Sequence, residues 1–381
     1  IQGPPGTGKT YQAANAIIEL LKQNKKIAIT GLSHKVIHNL LQRIEDMASE
    51  KQFEFEGYKK GTLEDDDTVF NGEYIKTYEK DPVFMNALKE RDKGQIFAGT
   101  KYHLASSFYD EKIDYLFIDE TGQLSLADLI SIGNIAKNII LIGDQNQLGQ
   151  PIKGTHPNES GQSILDYLLE GKDTISEDRG IFLNKTYRLN SKLNEFISPN
   201  FYEERLICDE RTDKRIIKFN KKLKIKDSGI HYIEMNHKNN VQTSIEEFEV
   251  IKDLMKEMIG LEFDDNGKKR KLTVDDFLII SPYNTQVNLL ISKLEESKIK
   301  NPRVGTIDKF QGQEAPITII SMTSSDSDSL PRNKEFFFSR NRLNVAISRA
   351  QVASIILFNP NLLDSSPKNL DQIKLMNNFF K

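Results

Sequence analysis

The chain has 381 residues, more than one hydrophobic core keeps growing to fill, so two domains of about 150–200 residues are expected. Its 38% hydrophobic and 28% charged residues exclude a disordered chain, and its net charge of −3 excludes a surface that is basic throughout. The single cysteine, Cys208, excludes an intrachain disulfide and a cysteine-rich zinc module and suits a reducing, cytosolic compartment, while apolar runs such as Ile139-Ile140-Leu141-Ile142 fall far short of the ~20 residues a membrane-spanning helix needs.

In chain order, Ile1 and Gln2 read as the last two residues of a strand that feeds the glycine-rich run beginning at Gly3, so the sequence reads as part of a longer protein. Ala13, Ala14, Ile17, Ile18 and Leu21 recur at helical spacing over Thr10 to Lys22, and Ile27 to Thr30 is a short β-rich run behind them. A second helix is expected from Ser33, with Val36, Ile37, Leu40, Leu41, Ile44 and Met47 on one face. Residues 48–94 break the alternation. They hold Glu64-Asp65-Asp66-Asp67 and scattered aromatics, and read as an insertion whose acidic run suits a protein partner more than phosphate. Apolar runs return at Gln95 to Thr100, Tyr115 to Asp119 and Asn138 to Gly143, each ending in polar or small residues that suit the carboxyl edge of a parallel sheet.

After Gly180 the alternation resumes, with strands expected at Ile181 to Leu183, Ile230 to Met235, Phe277 to Tyr283, Arg303 to Ile307, Ile317 to Met322 and Ala353 to Phe358. The fold class is therefore α/β, with domains over 1–179 and 180–360 and a tail over 361–381. Two basic clusters stand out: Arg205 to Lys226, with nine Lys/Arg against three acids, and Lys268-Lys269-Arg270-Lys271. Each reads as a solvated face or as local charge for nucleic acid.

Gly3-Pro4-Pro5-Gly6-Thr7-Gly8-Lys9-Thr10 satisfies the P-loop pattern at a strand-to-helix junction. Glycines let the backbone N–H groups of Gly3, Gly6, Thr7 and Gly8 close around phosphate oxygens of ATP, with Pro4 lining the same loop without a donor, while Lys9 reaches the outer phosphates and Thr10 ligates Mg²⁺. Tyr115-Leu116-Phe117-Ile118-Asp119-Glu120 supplies the second metal-side acid, Asp119, at a strand end, with Glu120 placed to orient or deprotonate the attacking water. A third strand end carries Gly143-Asp144-Gln145-Asn146-Gln147-Leu148. An ATPase that drives motion also needs cations from a mobile second domain, a task that suits Arg188 and Arg349.

With those residues the chain resembles the superfamily 1 helicases, in the branch of the nonsense-mediated-decay RNA helicase and the Okazaki-fragment nuclease-helicase. Leu183-Asn184-Lys185-Thr186-Tyr187-Arg188 resembles the LxxxYR element, with Thr186 where glutamine is usual. Val304 to Glu314 is similar to the fifth motif and Asn344 to Ala350 to the sixth. The resemblance implies two tandem RecA-like P-loop NTPase domains with parallel sheets and an insertion in the first, hydrolysing ATP with Mg²⁺ between them. It implies Tyr187 stacked on adenine, Gln147 sensing the γ-phosphate and Glu314 on the ribose.

It also implies single-stranded DNA or RNA as partner, met by Ser33, His34, Thr100, Pro282, Tyr283 and Thr306, and movement 5′ to 3′. Ser33 reads equally as a helix N-cap, and His34 and Tyr283 as satisfied side chains. His34 and His38 lack the further ligands a metal site needs. Gly149 to Leu169 is similar to bacterial relatives with an upstream RecB-type nuclease domain, which opens a second reading, a motor module of a larger nuclease-helicase in repair or phage defence. Thr121-Gly122 and Thr186 depart from the family and open a third reading, a nucleotide-gated binding module with decayed ATPase. No membrane or oligomer is implied.

Overall fold

The computed structural model describes residues 1–90, 93–149, 157, 160–219, 225, 228–327, 330 and 339–362. The chain divides into two units. The first comprises Ile1–Pro4, Gly8–Gln145 and Gly149–Leu183; the second comprises Pro5–Thr7, Asn146–Leu148 and Asn184–Lys381.

The first unit holds α1 (Lys9–Lys22), β1 (Lys26–Thr30), α2 (His34–Glu50), β2 (Glu56–Lys60), β3 (Ile75–Tyr78), α3 (Asp81–Ala87), β4 (Gln95–Ala98), α4 (Lys101–Leu104), β5 (Ile113–Ile118), α5 (Leu126–Gly133), β6 (Ala136–Leu141) and α6 (Ile164–Leu169). Its six strands lie in the order β3-β2-β4-β1-β5-β6, all parallel. Alternate residues of β1 face opposite layers. Ile27 and Ile29 pack with Ala13, Ile17, Leu40 and Ile44 of α1 and α2, and Ala28 packs with Leu104, Tyr109 and Ile132 on the other side. Burial on both faces is why the central strands read as near-continuous apolar runs. Each fully buried Ile or Leu contributes roughly 1.5–3 kcal/mol. Sheet order reverses beside β1, so the loops after β1, β4 and β5 open together at the carboxyl edge.

Residues 48–94, expected to break the pattern, instead extend the sheet by two strands. β2 pairs with β4 through Glu56↔Gln95 to Lys59↔Ala98, and β3 pairs with β2 through Gly57↔Ile75 to Lys60↔Tyr78. The alternation is hidden because the inward positions of β2 are Gly57 and Lys59. The run Ile181 to Leu183 forms no strand of the second sheet. Phe182 bridges Gln2, with Gln2 N–H donating to the Ile181 carbonyl and Leu183 N–H to the Gln2 carbonyl, so this run closes the first unit. The division falls after Leu183, four residues beyond the boundary read from sequence.

The second unit holds β7 (Lys185–Thr186), α7 (Ser191–Phe201), β8 (Ile207–Cys208), β9 (Arg215–Ile217), β10 (Gly229–Glu234), α8 (Ile245–Met258), β11 (Glu262–Asp265), β12 (Lys268–Lys271), β13 (Phe277–Ile280), α9 (Asn284–Glu296), β14 (Val304–Gly305), β15 (Ala315–Ser321), α10 (Arg340–Ile347) and β16 (Ala350–Phe358). Its main sheet, β10-β16-β15-β13-β14, is also parallel. Phe277, Ile279, Ile317, Ile319 and Ile355 pack with Phe248, Ile251, Leu290 and Leu294 of α8 and α9. The basic run 268–271 is the exposed edge strand of a small antiparallel sheet, β12-β11-β9, where Arg270 pairs with Asp276. Lysines on an edge oppose strand addition, which is the solvated-face reading of this cluster.

No helix among the described residues is long and apolar enough to cross a membrane. The run Gly154 to His156, part of the stretch expected from sequence to resemble nuclease-bearing relatives, lies outside the described residues, as do most of the 361–381 tail and Lys221, Lys222, Lys224 and Lys226.

Candidate nucleotide site and nucleic-acid groove

The P-loop is pinned at its start by Gln2, a buried residue that motif reading passes over. Its Nε2 donates to Gln145 Oε1 at 2.8 Å and to the Asp173 carbonyl at 2.9 Å, and its Oε1 accepts the Ile175 N–H at 2.6 Å. Gly3 N–H donates to the Gly143 carbonyl at 3.0 Å, tying the loop to the residue after β6. Gly6 and Gly8 adopt φ +73° and +77°, a region open to glycine at little cost, and Gly8 caps α1 so that Lys9 is its first residue. The Lys9 ammonium donates to the Gly3 carbonyl of its own loop.

Asp119 follows β5 and is 7% exposed; its Oδ1 accepts the Glu120 N–H at 2.9 Å. Burial, and then the Glu120 charge, push the Asp119 carboxyl up to about 7, against the Glu120 N–H and the Lys9 charge, which pull it down. A buried carboxylate destabilised in this way is one a divalent cation would stabilise. Thr10 and Asp119 are the residues that could hold Mg²⁺, an ion that usually takes only one or two protein oxygens. Among the described residues no group of three or more His, Cys, Asp or Glu is arranged to hold a metal.

Glu120 is held at φ +57°, ψ +42°, a left-handed conformation uncommon outside glycine. The turn behind it fixes that geometry. Thr121 donates both its N–H and its hydroxyl to the Ile142 carbonyl, and a Cβ on Gly122 would lie 2.8 Å from the Asp144 carbonyl oxygen. Thr121-Gly122 thus fits the close approach of this turn to the loop after β6.

In the second unit Arg188 and Glu314 form an ion pair, Gln351 Nε2 donates to Glu314 Oε1 at 2.7 Å, and Arg188 Nη1 donates to the Ser348 carbonyl at 3.3 Å. Burial raises the Glu314 carboxyl, but the Arg188 guanidinium, helped by Gln351 and Arg215, outweighs it and leaves the group below its ordinary value. Arg349 is buried, with Nη1 donating to the Gln313 carbonyl at 3.3 Å, so the two arginines and Glu314 come together around residues 313–314 and 348. Tyr187 is 46% exposed between Lys185 and Arg211, whose charged groups lie 5.9 and 5.4 Å from its ring centre. Thr186 is fully buried: its hydroxyl donates to the Pro5 carbonyl at 2.8 Å and accepts the Arg188 N–H at 3.2 Å. Gln147 is buried, in a segment held by Asn344 Nδ2 on the Asn146 carbonyl and Asn146 Nδ2 on the Phe201 carbonyl.

His34 and Thr100, which follow the paired strands β1 and β4, line one groove of about 550 Å³ in the first unit, together with Lys60, Thr68, Tyr102 and Asp81. Tyr102 is 80% exposed, unlike the core aromatics Phe84, Phe97 and Tyr109, and motif reading passed over it. Ser33 caps α2, accepting the Val36 N–H at 3.4 Å, and does not line the groove. In the second unit Pro282 and Tyr283 follow β13, and Thr306 follows its neighbour β14. Tyr283 is 5% exposed, with its hydroxyl 3.4 Å from Ser324 Oγ, so its ring is largely packed inside.

At the same edge Ser325, His237 and Glu247 are linked by contacts of 2.8 and 3.4 Å, the residue types of a hydrolytic triad. All three are buried, Ser325 Oγ accepts the Asn240 N–H, and Glu247 accepts the Thr323 N–H, so this is a structural network that holds the loop after β15.

A P-loop lysine and an Asp–Glu pair, its aspartate buried, at the carboxyl edge of a parallel sheet, joined in the chain to a second parallel α/β unit, define a P-loop nucleotide-binding protein with two RecA-like units. Residues 1–152 and 161–361 each match a family model described as an AAA domain. The chain belongs to the AAA domain family, in its superfamily 1 helicase branch. It is 28% identical over 400 residues to the DNA replication ATP-dependent helicase/nuclease dna2 of Schizosaccharomyces pombe, covering 96% of this chain and 27% of that protein. It is 25% identical over 401 residues to the DNA polymerase alpha-associated DNA helicase A of the same yeast, covering 92% and 59%. A solved arterivirus nonstructural protein 10 helicase with DNA aligns with 94% of this chain and 60% of its own at 13% identity and a TM-score of 0.49. The chain therefore spans less than two thirds of these relatives.

Proposed function

We propose that the chain is an ATP- and Mg²⁺-dependent motor on single-stranded nucleic acid, a translocase or helicase moving 5′ to 3′, with ATP hydrolysed between its two RecA-like units. One observation carries the reading: adjacent loops of a single sheet edge hold the Asp119–Glu120 pair after β5 and the His34–Thr100 groove after β1 and β4. Small shifts of the loop after β5 on nucleotide binding are one strand away from the groove, which gives hydrolysis a short route to grip.

In this reading Thr10 and Asp119 would hold Mg²⁺, which when bound would supply positive charge against the phosphates. Lys9 binds the outer phosphates, and Glu120 orients the attacking water and takes its proton. Gln147 reads the γ-phosphate, Tyr187 stacks on adenine and Glu314 meets the ribose. Arg188 and Arg349 offset charge in the transition state, with phosphate competing against Glu314 for Arg188. The test is ATPase activity with and without single-stranded DNA and RNA of matched sequence at fixed salt, because affinity falls steeply with salt. Stimulation lost in Lys9→Ala is expected; no stimulation, or full activity in that variant, overturns the proposal.

A second reading is favoured by the 27% share of the helicase/nuclease relative that this chain spans: the motor serves a nuclease on the same polypeptide. Sequence upstream of Ile1 that lacks any nuclease motif would remove it.

A further inference from the structure

Lys59 is on β2, one strand beyond β4, and its side chain is fully buried. A buried ammonium is costly unless every N–H has an acceptor. Here all three do: Nζ meets His34 Nδ1 at 2.7 Å, the Lys60 carbonyl at 2.7 Å and the Thr68 carbonyl at 2.5 Å. An ammonium has donors only, so His34 Nδ1 must be the acceptor and the imidazole proton must sit on Nε2. An imidazolium would set N–H against N–H, so the same contact also keeps His34 neutral. Burial first, and then the Lys59 charge, lower the His34 pKa, with Asp65 opposing them. His34 lines the groove; Lys59 does not.

We propose that Lys59 is a positioning residue for strand binding: by holding Nδ1 it fixes His34 as the neutral Nε2–H tautomer, so that the groove offers a hydrogen-bond donor to an acceptor oxygen of the nucleic acid. This rests on the reading that the groove takes a single strand. It goes beyond that reading in assigning the tautomer of His34 and the residue that sets it, neither of which spacing or motif reveals.

The experiment has two parts. In the chain labelled with ¹⁵N-histidine, long-range ¹H–¹⁵N correlation, with the His34 signals identified by their loss in His34→Ala, should show Nε2 protonated and Nδ1 bare at neutral pH. The opposite tautomer or an imidazolium overturns the inference. In a double-mutant cycle with a deoxythymidine 20-mer, Lys59→Met should raise the half-saturating oligonucleotide concentration for ATPase about tenfold, the worth of one hydrogen bond, with the maximal rate within twofold. In the His34→Ala background the same substitution should add nothing; additive losses overturn the inference. Should Lys59→Met fail to fold, the spectrum of the unaltered chain still decides it. A chain whose ATPase no strand stimulates would overturn the functional reading, and with it the role in binding, whereas a stimulated chain with the wrong tautomer would overturn the Lys59 assignment alone.

Discussion

Glu45 offers a sharp test of how the first sheet is held together. It is on the inner face of α2, 5% exposed, and its carboxylate accepts the N–H groups of Glu73 at 2.9 Å, Tyr74 at 3.0 and 3.2 Å, and Ile75 at 2.7 Å. Three consecutive backbone donors at the start of β3 converge on one side chain 30 residues away. Gly72 makes room for it, since a Cβ there would lie 2.1 Å from Glu45 Oε1. Glu45→Gln keeps one acceptor oxygen and turns an NH₂ toward donors. At least one buried N–H is then unsatisfied, at about 1–3 kcal/mol, and the remaining bonds lose their charge assistance, at about 0.5–1 kcal/mol in all. The expected destabilisation is therefore about 1.5–4 kcal/mol, or roughly 3–16 °C in Tm for a unit of this size. Denaturant titration measures it, and hydrogen exchange at the amides of residues 73–75 localises it. A loss under about 0.5 kcal/mol with unchanged protection at Ile75 would refute the reasoning.

Three further outcomes follow from the site. Glu120→Gln should lower single-turnover ATP hydrolysis by about 10²–10⁴-fold while nucleotide affinity changes only a few fold; hydrolysis within threefold of the unaltered chain would remove Glu120 as the base. Gly6→Ala should cost at least ~1–2 kcal/mol, because φ is +73° and the new Cβ would sit 2.3 Å from Arg188 Cβ, whereas Gly149→Ala, with nothing within 4 Å, should melt like the unaltered chain. Tyr102→Ala should weaken single-strand binding by about 1–3 kcal/mol in fluorescence titrations and leave melting unchanged, since the ring is 80% exposed; equal affinity would deny it a stacking role.

The strands that sequence reveals are those buried on both faces. Ile27–Thr30, Tyr115–Ile118 and Ile317–Ser321 are mostly apolar because their sheets are packed on both faces, and hydropathy finds them despite Thr30, Thr318 and Ser321. β2 escapes such a search because a lysine occupies an inward position where Val or Ile would signal a strand, and its ammonium is satisfied by partners on α2 and a loop that only the fold supplies. β3 escapes because it is four residues long and anchored by Glu45 from a different helix. Ile181–Leu183 misleads in the opposite sense: it is apolar enough for a strand, yet it forms an isolated bridge with Gln2.

The same division runs through the site. Gly3 to Thr10 and Asp119-Glu120 are legible because the partner proposed for them is a phosphate with its cation, whose size would fix the spacing of the residues that meet them. Gln2, Lys59 and Thr186 are silent because their partners are other residues of this chain. Thr186 shows how far that can mislead: where the family usually places glutamine, the shorter side chain reads as a departure that casts doubt on the ATPase. In the structure its hydroxyl donates to the Pro5 carbonyl and accepts the N–H groups of Arg188 at 3.2 Å and Leu189 at 3.4 Å. Those bonds fix the backbone at Arg188, so the substitution keeps the arginine in place through local geometry and gives no reason to infer a decayed site.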